Sequence, residues 1–335
     1  MGNEPFAEVA LHMRGFQISQ MVHVAAELRL ADRVGDANRP IAELAAETGA
    51  HPQMLLRLCR ALAAFGIFAV DDTGRLSQTP KSACLRSDAT PTLHYAARYW
   101  GMANSWGAWG NFLHTIMTGE PAFEMTHGLP PFAYNNANPK TKQVFDEFMQ
   151  HSPDDRHAAV AAAYDFAGIV VDVGGGTGGL LRAILDAYAG VRGILADQPE
   201  VVAGAAQVLG PQADRCDVVA TDFFASVPSG GDIYTMAQVL HDWNDESCLK
   251  ILANCRAAMK PASRLLVIER PLEDLSGRIL PMNFLADLHM MVLFPGAKER
   301  TPAEYASLFR DSGLREPRFL PTRSAFSIIE TGLAA

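Results

Sequence analysis

Between residues 170 and 181 the chain reads VVDVGGGTGGLL, a β-branched apolar run that breaks into a nearly unbroken stretch of glycine and then resumes with leucines. Such a segment is built to be a strand, a tight turn and a helix. Glycine tolerates positive φ and lets backbone approach a ligand, and the helix that follows opens with free N–H groups. The runs GIVVDVG, GILAD, CDVVAT, DIYTMAQVL and RLLVIE recur from about residue 168, each followed by a helical or polar segment. Runs this apolar suit strands buried on both faces, and their spacing suits parallel crossovers. An α/β fold with a Rossmann-like sheet is expected over residues 156–335, closed by a helix near 302–312 and a hairpin made of RFLPT and AFSIIE.

Residues 1–155 follow a different grammar and are expected to form a separate, mainly helical domain. Apolar residues recur at helical spacing through Ala10, Met13, Ile18, Met21, Val24, Ala25 and Leu28, a stripe that needs a partner surface. IAELAAETG predicts a short helix ending at Gly49, and HPQMLLRLCRALAAFGIF a second with Pro52 in its first turn and Gly66 at its C-cap. VDDTGRLSQT then predicts two short strands around an Asp-Thr-Gly turn, so the unit reads as a winged helix. Residues 126–140, THGLPPFAYNNANPK, predict irregular backbone leading into an amphipathic helix that ends near Met149.

A winged helix suggests DNA, but the charges oppose it. The second helix offers only Arg57 and Arg60, the wing opens with Asp71 and Asp72, and the whole chain carries a net charge of −9. Five cysteines, never spaced as C-x-x-C, suggest reduced thiols rather than a disulfide frame or zinc site. With no long apolar run and no signal-peptide core at the N-terminus, a cytoplasmic protein is expected.

The glycine turn gains meaning from Asp197, which ends GILAD about 20 residues further on, where an acid can accept ribose hydroxyls. Together they indicate a nucleoside and leave open whether it is a nicotinamide cofactor or another.

The ordered set VVDVGGGTGG, LADQPEVV, ATDFFASVP, VLHDWNDE, VIERPLE and GAKERT resembles the small-molecule O-methyltransferase family that includes caffeic acid and hydroxyindole O-methyltransferases and bacterial natural-product tailoring enzymes. The resemblance covers nearly the whole chain, since that family also has a helical winged-helix dimerisation domain. It implies S-adenosyl-L-methionine as methyl donor, S-adenosyl-L-homocysteine as product, a small aromatic acceptor and a homodimer. By the same resemblance Gly174, Gly176, Asp197, Asp222 and Phe223 would bind the cofactor, and Ser152 would take part at its carboxylate. A carboxylate accepting hydroxyl or amino donors, and a ring stacked on a purine, fit those roles. The bland readings are a turn cap for Asp222 and a core residue for Phe223.

His241 would be the general base, with Glu269 and Glu299 accepting from its other ring nitrogen. A phenol of pKa about 10 is mostly protonated at neutral pH, so a positioned imidazole is worth about 10²–10⁴ in rate. Asp242 and Asp245 could suggest magnesium, but they share one short segment, and Asp245 is expected to cap a helix; no metal is assigned. Family members from plants have a lysine where this chain has Ala237, so that cofactor contact is replaced or lost. The acceptor pocket is expected to use Phe145, Met149, Asp287, Met290, Met291 and Phe294, although Met and aromatic stripes are more often ordinary core. The competing functions are N-methylation, a non-methylating reaction of the same cofactor, and a winged-helix regulator that senses a small molecule.

Overall fold

A computed structural model describes residues 4–151, 156–274 and 278–334. The described residues of 1–110 and 132–153 form one compact unit, and those of 111–131 and 154–335 form the other.

In the first unit the two expected helices are Ile41–Thr48, closed by Gly49 at φ +70°, and Pro52–Ala64, opened by its proline. Gly66 follows at φ +68°, and the Ile67 N–H reaches back 2.9 Å to the Leu62 carbonyl, the left-handed ending that glycine makes cheap. Strands β1 (Arg39–Pro40), β2 (Phe68–Val70) and β3 (Arg75–Gln78) form an antiparallel sheet in the order β1-β3-β2. Asp71 shapes the wing: one carboxylate oxygen accepts from the Thr73 N–H, the Thr73 hydroxyl and the Arg75 N–H within 3.0 Å. Leu30, Leu44, Leu62 and Leu76 fill the core beneath it. The segment 126–140 is not the irregular backbone that its composition suggests. Ala122–His127, a part of the second unit, is a helix ended by Gly128 at φ +73°, and Pro131–Ala137 is another helix, because proline suits a first helical turn as well as a loop.

The second unit is a seven-stranded sheet of β4 (Ile169–Val173), β5 (Arg192–Asp197), β6 (Cys216–Ala220), β7 (Ile233–Ala237), β8 (Arg264–Glu269), β9 (Arg318–Pro321) and β10 (Ser327–Thr331). Its order is β6-β5-β4-β7-β8-β10-β9. The five apolar runs pair in parallel, and the terminal hairpin adds antiparallel with β10 against β8. The helix Gly179–Ala187 and the helices Asp245–Ala258 and Pro302–Asp311 supply the two apolar clusters that pack against the sheet. Strand order reverses between β4 and β7, so a crevice opens there beyond the carboxyl ends of the strands, where open α/β sheets bind ligands. β7 stops at Ala237 because Gln238 turns to φ +53°, which aims the chain into that crevice. Among the described residues no helix is long and apolar enough to cross a membrane.

Candidate active site

The glycine turn after β4 has the backbone its sequence demands. Gly174 and Gly176 sit at φ +65° and +61°, and a Cβ on Gly174 would lie 2.8 Å from the Val239 side chain and 3.5 Å from the Phe223 ring. The turn is therefore a cradle that side chains would fill. Asp197 leaves β5 beside it, its two oxygens accepting the Gly176 N–H at 2.8 Å and the Gln198 N–H at 2.7 Å. Each oxygen retains a second lone pair for a ribose hydroxyl. The Thr221 N–H donates to the Asp197 carbonyl at 2.9 Å, which ties the end of β6 to that of β5 and brings Asp222 and Phe223 to the same edge. Asp222 accepts the Phe224 N–H at 2.8 Å, so the turn-capping role exists; its other oxygen stays open to a donor.

Beyond β7 the chain enters a short 3-10 helix, Leu240–Asp242. Glu269, at the end of β8 and 0% exposed, accepts the Val239 and Leu240 N–H groups at 3.2 and 3.0 Å and so fixes this turn. His241 is buried, with Nδ1 2.9 Å from Glu299 Oε1 and 3.8 Å from Glu269 Oε2. The Lys298 N–H bonds to the His241 carbonyl at 3.0 Å, and Arg300, 1% exposed, donates to the Leu240 and Trp243 carbonyls and to Asp245. The loop carrying Glu299 is thus sewn to the turn carrying the imidazole. Both glutamates lie on the Nδ1 side of the ring, and Asp242 Oδ1 lies 3.4 Å from Nε2.

Burial alone would keep this imidazole neutral, but Glu269, Glu299 and Asp242 outweigh it and push its pKa up to about 10. Burial in turn pushes Glu269 up to about 7 and Asp242 up to about 6. The group is therefore not the free histidine of pKa about 6.5 that sequence alone suggests. It is one member of a buried acid cluster that binds protons collectively. Imidazole and both glutamates each offer an atom within 4.8 Å of one another, a donor set a divalent ion could use. The 2.9 Å Nδ1–Glu299 contact is a hydrogen bond instead, closer than the roughly 3.3 Å between two ligands of a tetrahedral ion.

Asp287, expected to line the acceptor pocket, also has a structural partner. It accepts the Glu299 N–H at 3.0 Å and braces the loop behind the glutamate. Met290, Met291 and Phe294 are half-buried at the end of the same helix and just past it, Pro281–Leu293. Phe145 and Met149 are half-buried on the helix Pro139–Gln150 of the first unit, where the Phe145 ring lies 5.9 Å from that of Tyr99. Ser152 falls outside the described residues. Asp245 does not cap its helix: Asn244 does, accepting the Ser247 N–H at 2.9 Å, while Asp245 pairs with Arg300 at 2.7 Å. An N-cap needs extended backbone one residue before the first turn, and Asn244 has it.

Three groups went unread in the sequence, and Asp242, weighed there only as a metal ligand, lies 3.4 Å from His241 Nε2. Arg300 sits in GAKERT without having been assigned a task. His289 is held neutral, its pKa pushed down to about 4 by burial and by His241. Arg156, 8% exposed at the start of the helix Arg156–Ala163, hydrogen-bonds Gln238 at the mouth of the crevice. A cation opening the last helix before the glycine strand was the only signal available for it.

Residues 109–315 match the O-methyltransferase domain and residues 10–88 the O-methyltransferase dimerisation domain. The chain is 40% identical to phenazine O-methyltransferase of Lysobacter antibioticus, over 98% of this chain and 97% of that one. It is 38% identical to mitomycin biosynthesis 6-O-methyltransferase of Streptomyces lavendulae, over 92% and 89% respectively. Among solved structures, human N-acetylserotonin methyltransferase in complex with S-adenosylmethionine is similar at a TM-score of 0.90 and 26% identity, over 100% of each chain.

Proposed function

The chain belongs to the O-methyltransferase family, and from that premise we propose that His241 draws the proton from a phenolic hydroxyl of a small aromatic natural product as its oxygen is methylated. S-adenosylmethionine supplies the electrophilic methyl carbon. The observation that carries the reading is the buried hydrogen bond of Nδ1 to Glu299, which commits one ring nitrogen to a carboxylate and leaves Nε2 for the acceptor.

The residues around the crevice suit that cofactor. Asp197 offers lone pairs to the ribose hydroxyls, the Phe223 ring borders Gly174, and the positive-φ turn leaves room that no side chain could share. Asp222 offers an oxygen to the adenine amino group. Arg156, steadied by Gln238, supplies a buried cation for the cofactor's carboxylate in a chain where Ala237 cannot. Glu299 and Glu269 stabilise the imidazolium as it forms, and Asp287 keeps Glu299 in place. Met290, Met291 and Phe294 would give the acceptor an apolar surface, and the dimerisation domain supports a homodimer.

Incubating the protein with S-adenosylmethionine and a panel of phenols, hydroxyquinones and hydroxyphenazines should yield products heavier by one methyl group and methylated on oxygen. His241→Ala should keep cofactor affinity and lose at least about 10²-fold in kcat. Full turnover by that variant would remove the general-base role, and methylation on nitrogen alone would move the acceptor class.

A further inference from the structure

The cluster around His241 has more acceptors than donors. Among the described residues three of its buried oxygens have no hydrogen-bond partner: Glu269 Oε2, Glu299 Oε2 and the Tyr305 hydroxyl. An ionised carboxylate only accepts, and leaving one of its oxygens dry costs about 1–3 kcal/mol. The nearby donors are already committed. Val239 and Leu240 N–H groups go to Glu269 Oε1, His241 Nδ1 goes to Glu299 Oε1, and Arg300 goes to the Leu240 and Trp243 carbonyls and Asp245. The Cys248 thiol donates to the Leu240 carbonyl at 3.2 Å. Tyr305 remains, a phenol 0% exposed on the first turns of the helix Pro302–Asp311, whose N-cap follows Glu299 by two residues. It packs in one apolar cluster with Val239, Leu240 and Cys248. Its hydroxyl feels both glutamates, and burial with their charge holds its pKa well above that of an ordinary tyrosine. It therefore keeps its proton and stands as a donor beside these acceptors.

Resting on the general-base reading of His241, we propose that Tyr305 is a positioning residue for methyl transfer: its hydroxyl donates, across one bridging water, to the free oxygens of Glu269 and Glu299 and holds these carboxylates in place behind the imidazole. A carboxylate with this donor gives up its proton more readily and stabilises the imidazolium that forms when the acceptor is deprotonated. The charged and titratable groups facing the pair are His241, Asp242, Asp245, Arg300 and Cys248, with His289 beyond His241.

Tyr305→Phe removes one oxygen and keeps the ring, so it separates donor from packing. In the full-length protein, compared with the parent on the high-pH plateau where the imidazole is the free base in both, it is expected to lower kcat by about 10-fold, with KM for S-adenosylmethionine within about twofold of the parent. In the cofactor-free protein, ¹⁵N NMR of the His241 ring should show it losing its proton about half a pH unit or more below the parent, because Glu269, its pKa already raised by burial, then competes for that proton. A higher Tm with unchanged kcat and an unchanged ring titration would overturn the proposal and leave Tyr305 a buried hydroxyl of the core. His241→Ala measured alongside distinguishes the two failures: turnover by that variant sinks the general-base reading itself, whereas an inactive His241→Ala with a parent-like Tyr305→Phe sinks only the role of Tyr305.

Discussion

At the scale of single residues, protons decide what this site can do. Three carboxylates raise the pKa of His241 to about 10 against its burial, so its base form grows as pH rises through a range above the 6.5 of an unperturbed imidazole. kcat/KM for a phenol should accordingly climb with pH, with an apparent midpoint above 6.5, in a buffer series at constant ionic strength. A rate already at its plateau by about pH 6 would mean that the cluster does not hold the reactive proton. Asp197 is subject to a simpler test. Its oxygens accept two backbone N–H groups at 2.8 and 2.7 Å and still face the cradle. Asp197→Ala should weaken S-adenosylhomocysteine binding by about 10-fold or more in calorimetry, the loss of a charge-assisted acceptor worth about 1.5–3 kcal/mol. Both residues were legible in the chain, Asp197 because it ends an apolar run at the right distance from the glycines, His241 because it follows another. The proton affinity of His241 was not legible, since Glu299, which bonds it, lies 58 residues away.

At the scale of elements, the site depends on how strands end and how the next segment begins. Glu269 ends β8 and clamps the turn after β7, and Gln238 at φ +53° is where the chain leaves the strand for that turn. The helix Pro302–Asp311 opens with a capping box in which Thr301 accepts the Glu304 N–H at 3.2 Å and Glu304 accepts the Thr301 N–H at 2.8 Å. Because Thr301 directly follows Arg300 and the helix carries Tyr305, this cap anchors the far wall of the cluster. Thr301→Ala should cost about 1 kcal/mol and lower the calorimetric Tm by about 2 °C. An unchanged Tm would mean that the loop is held by Arg300 alone. Most boundaries of these elements could be read from periodicity and from proline and glycine. Residues 131–137 could not, because proline and asparagine mark loops and helix starts alike.

At the scale of the whole molecule, a helical N-terminal region whose residues 10–88 match a dimerisation domain accompanies the catalytic sheet. Phe6, Val9, Met13 and Phe16 are more than half exposed along its first helices, an apolar surface that a second copy would cover. Sedimentation velocity at micromolar concentration should give twice the mass of one chain, and a monomer would remove the homodimer from the proposal. The sequence by itself determined the alternation of strands and helices, the glycine cradle, and the acids and histidine at strand ends, because each is written in local spacing and backbone preference. Only the tertiary structure decided the reversal of strand order between β4 and β7, the meeting of Arg156 with Gln238, and the gathering of Glu269, Glu299 and Asp242 around one imidazole. Those contacts join residues tens of positions apart, and the fields and missing donors that tune the site exist only once folding has excluded water from between them.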